Sequence, residues 1–121
     1  MASTRKSILV VEDDSLLRMA AVDLVEEAGY DVVEAADAVQ AIAILQGDAD
    51  IALVFSDIDM PGGMDGIRLV AFIHERWPRI QTILTSGKFA TAPDSLSADS
   101  LFFTKPYVES KLVEAFRKMI A

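Results

Sequence analysis

Short apolar runs alternate with helical patterns along the chain. Ser7 to Val11 (SILVV) is a β-branched run suited to a strand buried on both faces. Ser15 is placed to cap a helix whose apolar residues Leu17, Ala20, Ala21, Leu24, Val25 and Ala28 recur at helical spacing, and Gly29 stops it. Asp31 to Ala35 (DVVEA) reads as a second strand. Asp37 caps a helix with Ala38, Ala41, Ile42 and Leu45 inward, ended by Gly47. Ile51 to Ser56 (IALVFS) is a third, almost wholly apolar strand. A loop rich in Pro, Gly and Asp runs from Asp57 to Gly66, with Asp65 helping to start a helix that reaches about Trp77 and is stopped by Pro78. Gln81 to Thr85 (QTILT) and Leu101 to Thr104 (LFFT) are the fourth and fifth strands. A last helix carries Val108, Leu112, Ala115, Phe116 and Met119 on one face.

This is a β-α unit repeated about five times, which predicts an α/β fold with a parallel sheet, helices on both faces and right-handed crossovers. The pattern weakens between Lys88 and Ser100 (KFATAPDSLSADS). Pro93, the serines and the scattered apolar residues predict a fourth helix that is short or irregular. In doubly wound sheets ligands bind beyond the carboxyl ends of the strands, so the residues just after each strand are the ones to inspect.

Composition narrows the chemistry. At 121 residues, with 52% hydrophobic residues, the chain supports one packed core. It has no cysteine, which removes disulfides, thiolate metal sites and a Cys nucleophile. No apolar run reaches the length of a membrane span and the first residues lack the apolar stretch of a signal peptide, so the chain reads as soluble and cytoplasmic. A net charge of −8 disfavours nucleic acid as a partner. It leaves open whether the acids merely solubilise the protein or converge on a cation.

The strand ends favour convergence. Glu12 and Asp13 follow strand one, Asp57 and Asp59 follow strand three, Ser86 follows strand four and Lys105 follows strand five. All fall on one edge of a parallel sheet. Like charges about 4 Å apart repel by roughly 4 kcal/mol at a surface-like dielectric, so a cation is needed there. Mg²⁺ suits such oxygen ligands and is often held by one or two carboxylates together with phosphate oxygens. A phosphoryl group on an Asp carboxylate would meet the metal, the Lys105 ammonium and the Ser86 hydroxyl, which is the neutralisation phosphoryl transfer needs.

The ordered segments ILVVEDD, LVFSDIDMPGGMDG, ILTSG and FFTKPY resemble the receiver domain of two-component response regulators over essentially the whole chain. The resemblance implies a flavodoxin-like, doubly wound five-stranded parallel sheet in the order 2-1-3-4-5. It implies that Asp57 is the phosphoacceptor and that Glu12 and Asp13 bind the metal, Mg²⁺ or Mn²⁺, with Asp57 and the backbone carbonyl of Asp59. Ser86 would hold a phosphoryl oxygen after the switch, Lys105 would pair with the acceptor or its phosphate, and Phe102 matches the switch aromatic. Lys105-Pro106 matches a position that is often cis. The implied partners are a histidine kinase or histidine phosphotransfer protein and a downstream protein target, with no nucleic acid and no membrane. Residues 1–121 are read as a single receiver domain without an output domain, a switch rather than a turnover enzyme that assists its own phosphorylation and dephosphorylation.

The chain departs from the family pattern in three places. PGGMDG is one residue longer than the usual PGMDG, the stretch from Ser86 to Phe102 is short, and Phe102 lacks the hydroxyl of the frequent tyrosine. Asp14 is read as a surface or capping residue, His74 as a partly exposed helix residue, and Trp77 as core or half-exposed packing. Asp59 and Lys88, each two residues past a site residue, are expected to form a salt bridge over the site mouth that slows loss of the phosphoryl group.

Rival readings are weaker. Asp57-Ile58-Asp59 resembles the nucleophile pair of haloacid-dehalogenase-type phosphatases, but it follows the third strand and Pro61 takes the place of the usual Thr or Val. A calcium loop fails because Pro61 and Arg68 occupy ligand positions. A binding module that keeps the fold without being phosphorylated would not require the full set of acids, acceptor and lysine.

Overall fold

The computed structural model describes residues 6–47, 50–60, 62–88 and 100–120. Its elements are β1 (Ser7–Val11), α1 (Ser15–Glu27), β2 (Asp31–Ala35), α2 (Ala38–Gln46), β3 (Ile51–Asp57), α3 (Gly66–Arg76), β4 (Gln81–Ser86), β5 (Ser100–Thr104) and α4 (Glu109–Ile120). The strands form one sheet in the order β2-β1-β3-β4-β5, and every pairing is parallel. The expected fourth helix between Lys88 and Ser100 lies outside the described residues, so α4 is the last helix of the sequence reading.

Helices cover both faces of the sheet. Ile8, Val10, Leu53, Phe55 and Ile83 pack against Ala21, Leu24 and Val25 of α1 and Leu112, Ala115 and Phe116 of α4. On the other face Leu9, Val11 and Val54 pack against Ala38, Ala41 and Leu45 of α2 and Leu69 and Ile73 of α3. Alternate residues of β1 and β3 thus point into two separate cores, which is why these strands are continuous apolar runs rather than alternating ones.

Helix starts follow from short polar side chains. Asp37 accepts the Gln40 N–H, and Asp65 accepts that of Arg68. For α1 the sequence offers Ser15 as the cap and Asp14 as a surface or capping residue; the structure uses Asp14, whose carboxylate accepts the N–H groups of Leu16 and Leu17 at 2.9 and 3.1 Å. Ser15 is the first helical residue instead. Its neighbour carries a full negative charge, which also complements the positive end of the helix. At the other end of α1, Gly29 takes the left-handed conformation (φ 98°) that turns the chain back to β2.

Three residues of the predicted apolar helical patterns are not buried. Leu17 is 48% exposed and Ala20 is exposed, because the first turns of α1 project past the carboxyl edge of the sheet. Val108 precedes α4 and is 62% exposed rather than lying on its buried face.

Candidate functional site

The carboxyl edge of the sheet gathers the residues that the strand ends nominate. Carboxylate oxygens of Glu12, Asp13 and Asp57 all lie within 4.8 Å of one another. Glu12 and Asp57 are buried, while Asp13 is exposed and faces the opening. Lys105 reaches across from the end of β5. Its Nζ donates to Glu12 Oε1 at 2.9 Å and stands 3.4 Å from Asp57 Oδ2. The Lys105 N–H bonds the Ser86 carbonyl, which ties the β5 end to β4, and the following Lys105-Pro106 peptide is cis.

Local backbone bonds fix the acids in place. The Asp14 N–H donates to Glu12 Oε2 at 3.2 Å, and the Asp59 N–H donates to Asp57 Oδ1 at 3.3 Å. Arg18, a residue sequence reasoning missed, donates to the Glu12 carbonyl at 2.8 Å and pairs with Glu34 at 2.9 Å, pinning the acidic turn to β2. Its signal was weak, since an Arg one turn into a helix looks like any solvated charge. Gly66 was also missed as a site residue. Its N–H bonds the Ile58 carbonyl, and an added Cβ would overlap the Asp57 carbonyl oxygen. The loop between carries Gly62 and Gly63, both at positive φ (92° and 90°), a conformation that glycine adopts without a steric penalty.

Burial governs the charges. Desolvation pushes the Asp57 carboxyl up from its ordinary range despite the opposing pull of Lys105. Glu12 is raised for the same reason, against its hydrogen bond from Lys105. Burial alone would lower Lys105, but its hydrogen bond to Glu12 and the charge of Asp57 outweigh that and leave it raised. Three carboxylates against one ammonium leave an excess of two negative charges. Hard oxygen donors with one exposed member form a donor set suited to a hard dication.

Beside the acids, a cavity of about 300 Å³ runs between α1 and the β5-α4 connection, lined by Leu17, Ala20, Phe55, Pro106 and Tyr107 together with Asp57 and Lys105. Tyr107 packs edge-to-face on Phe55 at 5.8 Å.

Ser86 is fully buried, and its hydroxyl bonds Asp59 rather than the Glu12, Asp13 and Asp57 cluster. Its hydroxyl donates to Asp59 Oδ2 at 2.6 Å and accepts the Lys88 N–H at 3.0 Å. The expected Asp59–Lys88 salt bridge is therefore not formed. Lys88 approaches through its backbone, its side chain belongs to an exposed residue, and the Asp59 carboxylate has the nearer hydroxyl as partner. Phe102 is half-buried beside Ile58, Val70 and Leu84, paired in register with Leu84. His74 lies away from this edge, half-buried, with Nε2 2.9 Å from Thr82 Oγ1.

A family profile describing the response regulator receiver domain matches residues 8–117. The chain belongs to the response regulator receiver family. It is 35% identical over 118 residues to the response regulator receiver protein CpdR of Brucella abortus, covering 95% of this chain and 97% of that protein. It is also 35% identical over 120 residues to the sensor kinase CckA of Brucella abortus, covering 94% of this receiver but spanning only 12% of the kinase's length. The crystal structure of the response regulator TrrA from Thermotoga maritima in complex with Mg²⁺–BeF superposes with a TM-score of 0.82 at 26% identity, covering 94% of this receiver and 98% of that chain. The sheet order and two-sided helix packing read from the sequence are those of the family. Among the described residues, no helix is long and apolar enough to cross a membrane.

Proposed function

We propose that Asp57 accepts a phosphoryl group from a phosphohistidine on a partner histidine kinase or phosphotransfer protein, and that this modification switches the receiver's surface toward a downstream protein. An Asp57 carboxylate oxygen attacks phosphorus, the new O–P bond forms as the N–P bond of the donor breaks, and the electron pair stays on the departing imidazole nitrogen. The single observation that carries this reading is the convergence of Glu12, Asp13 and Asp57 under the Lys105 ammonium.

Glu12, Asp13, Asp57 and the Asp59 carbonyl are the proposed holders of Mg²⁺ or Mn²⁺. The ion, when bound, neutralises charge on the transferring phosphoryl oxygens. The Mg²⁺–BeF complex of the relative TrrA supports the same use here. Lys105 serves as a second cationic contact to the phosphoryl group, and its raised affinity for a proton keeps it charged for that task. Ser86 and Phe102 are the proposed switch pair. The hydroxyl turns to a phosphoryl oxygen and the aromatic ring repacks, as a shift between two preexisting states biased by the modification. The receiver assists both the arrival and the hydrolysis of the phosphoryl group without acting as a turnover enzyme, and a cytoplasmic location accompanies this role.

Acetyl phosphate treatment followed by intact mass measurement tests the proposal. The wild type gains one phosphoryl group in the presence of Mg²⁺ and not after chelation, and Asp57→Ala gains none. Equal labelling of Asp57→Ala would remove Asp57 as acceptor.

A further inference from the structure

The Ser86 hydroxyl has a single proton to give and two lone pairs to receive with. That proton is committed to Asp59 Oδ2 at 2.6 Å, and one lone pair takes the Lys88 N–H at 3.0 Å. A phosphoryl oxygen on Asp57 would be an acceptor too, so it needs the same proton. We propose that Asp59 is a positioning residue whose carboxylate latches Ser86 in the unphosphorylated arrangement, competing with a phosphoryl group on Asp57 for that one hydroxyl proton. The inference rests on the reading of Asp57 as acceptor given above.

The strands bring the two competitors close together. Asp57 pairs with Thr85, and the Ile58 N–H bonds the Thr85 carbonyl, so Ser86 stands beside the segment that leaves Asp57. Asp59 is half-buried and Ser86 fully buried, so the bond is partly shielded from water. Carboxylate and phosphoryl oxygens both accept charge-assisted hydrogen bonds, about twice as strong as neutral ones, so the latch opposes the phosphoryl oxygen on comparable terms. Asp59 is also tied to the acceptor, since its N–H sits on Asp57 Oδ1 at 3.3 Å. The latch and the group that must open it are thus joined by one short stretch of backbone. Asp59 therefore sets how readily Ser86 moves, without itself touching the transferred group.

The test is a double-mutant cycle read by binding rather than by turnover. Beryllium fluoride serves as a non-covalent phosphoryl analogue at saturating Mg²⁺, and its affinity is followed by fluorine NMR. Asp59→Ala should tighten binding about tenfold when Ser86 is present, because the phosphoryl analogue no longer competes with a charged acceptor. In the Ser86→Ala background the same substitution should act several-fold less, since only the change in local charge remains. Asp59→Asn keeps an acceptor oxygen without the charge, should fall between wild type and Asp59→Ala, and guards against a folding failure of the alanine variant. An Asp59→Ala effect of equal size in both backgrounds would overturn the latch and leave Asp59 acting by charge alone. So would weaker binding that requires Ser86. Loss of the underlying reading has a different signature: beryllium fluoride would bind Asp57→Ala as well as wild type, or bind neither.

Discussion

At Gly66 the first turn of α3 passes so close to β3 that a Cβ would overlap the Asp57 carbonyl oxygen and lie 2.9 Å from Ile58 Cα. Both neighbours are backbone and cannot rotate aside. Gly66→Ala should therefore cost at least about 2 kcal/mol in urea unfolding, the range for forced overpacking. Asp57 carries the opposite kind of strain. Its folded-state pKa lies above the ordinary value because burial disfavours the anion. A carboxyl raised in this way is neutral in both states at low pH, and its ionisation penalises the folded state as pH rises through the raised value. In metal-free buffer Asp57→Asn should therefore unfold at a higher temperature than wild type near neutral pH, with the advantage vanishing below the ordinary carboxylate range. A variant that is less stable than wild type at neutral pH would contradict this. Neither Gly66 nor Arg18 was legible as a site residue in the sequence, because close approach and a reach to another strand's carbonyl exist only once the chain is folded. Glu12, Asp13, Asp57 and Lys105 were legible because a parallel sheet sends every strand end to the same edge.

Elements were read well where burial and punctuation agree. Gly29, Gly47 and Trp77-Pro78 end helices as expected, and the strands are found with ends differing by a residue at most. The errors lie where a helix leaves the sheet. Leu17 and Ala20 continue the apolar spacing of α1 but stand above the edge, where spacing carries no information about what lies beneath. The N-cap of α1 slipped by one residue because Ser15 and Asp14 are both good caps, and only the backbone conformation decides between them. Asp14→Ala should cost about 1 kcal/mol in thermal or urea unfolding, whereas Ser15→Ala should change stability by a few tenths at most. The reverse ranking would restore Ser15 as the cap.

At the scale of the molecule, the excess negative charge at one edge should make stability respond to an added cation. If Mg²⁺ binds only the native state, a concentration one hundred times its dissociation constant adds about 2.7 kcal/mol. Thermal melts should show this rise in the wild type and a much smaller one in Asp13→Ala, which loses the exposed carboxylate of the cluster. An unchanged melting temperature with added Mg²⁺ would remove the metal site. The two-sided core has a quieter effect. β1 is oily on both sides, with Ile8 and Val10 in one core and Leu9 and Val11 in the other. Sliding it by one step would exchange like for like in both cores, so greasy contacts alone barely police its alignment. The charges do. A slide inward would drag Glu12 off Lys105 into hydrocarbon, a cost of several kcal/mol. Glu12, one of the three clustered acids, thus also acts as the strand's end-stop.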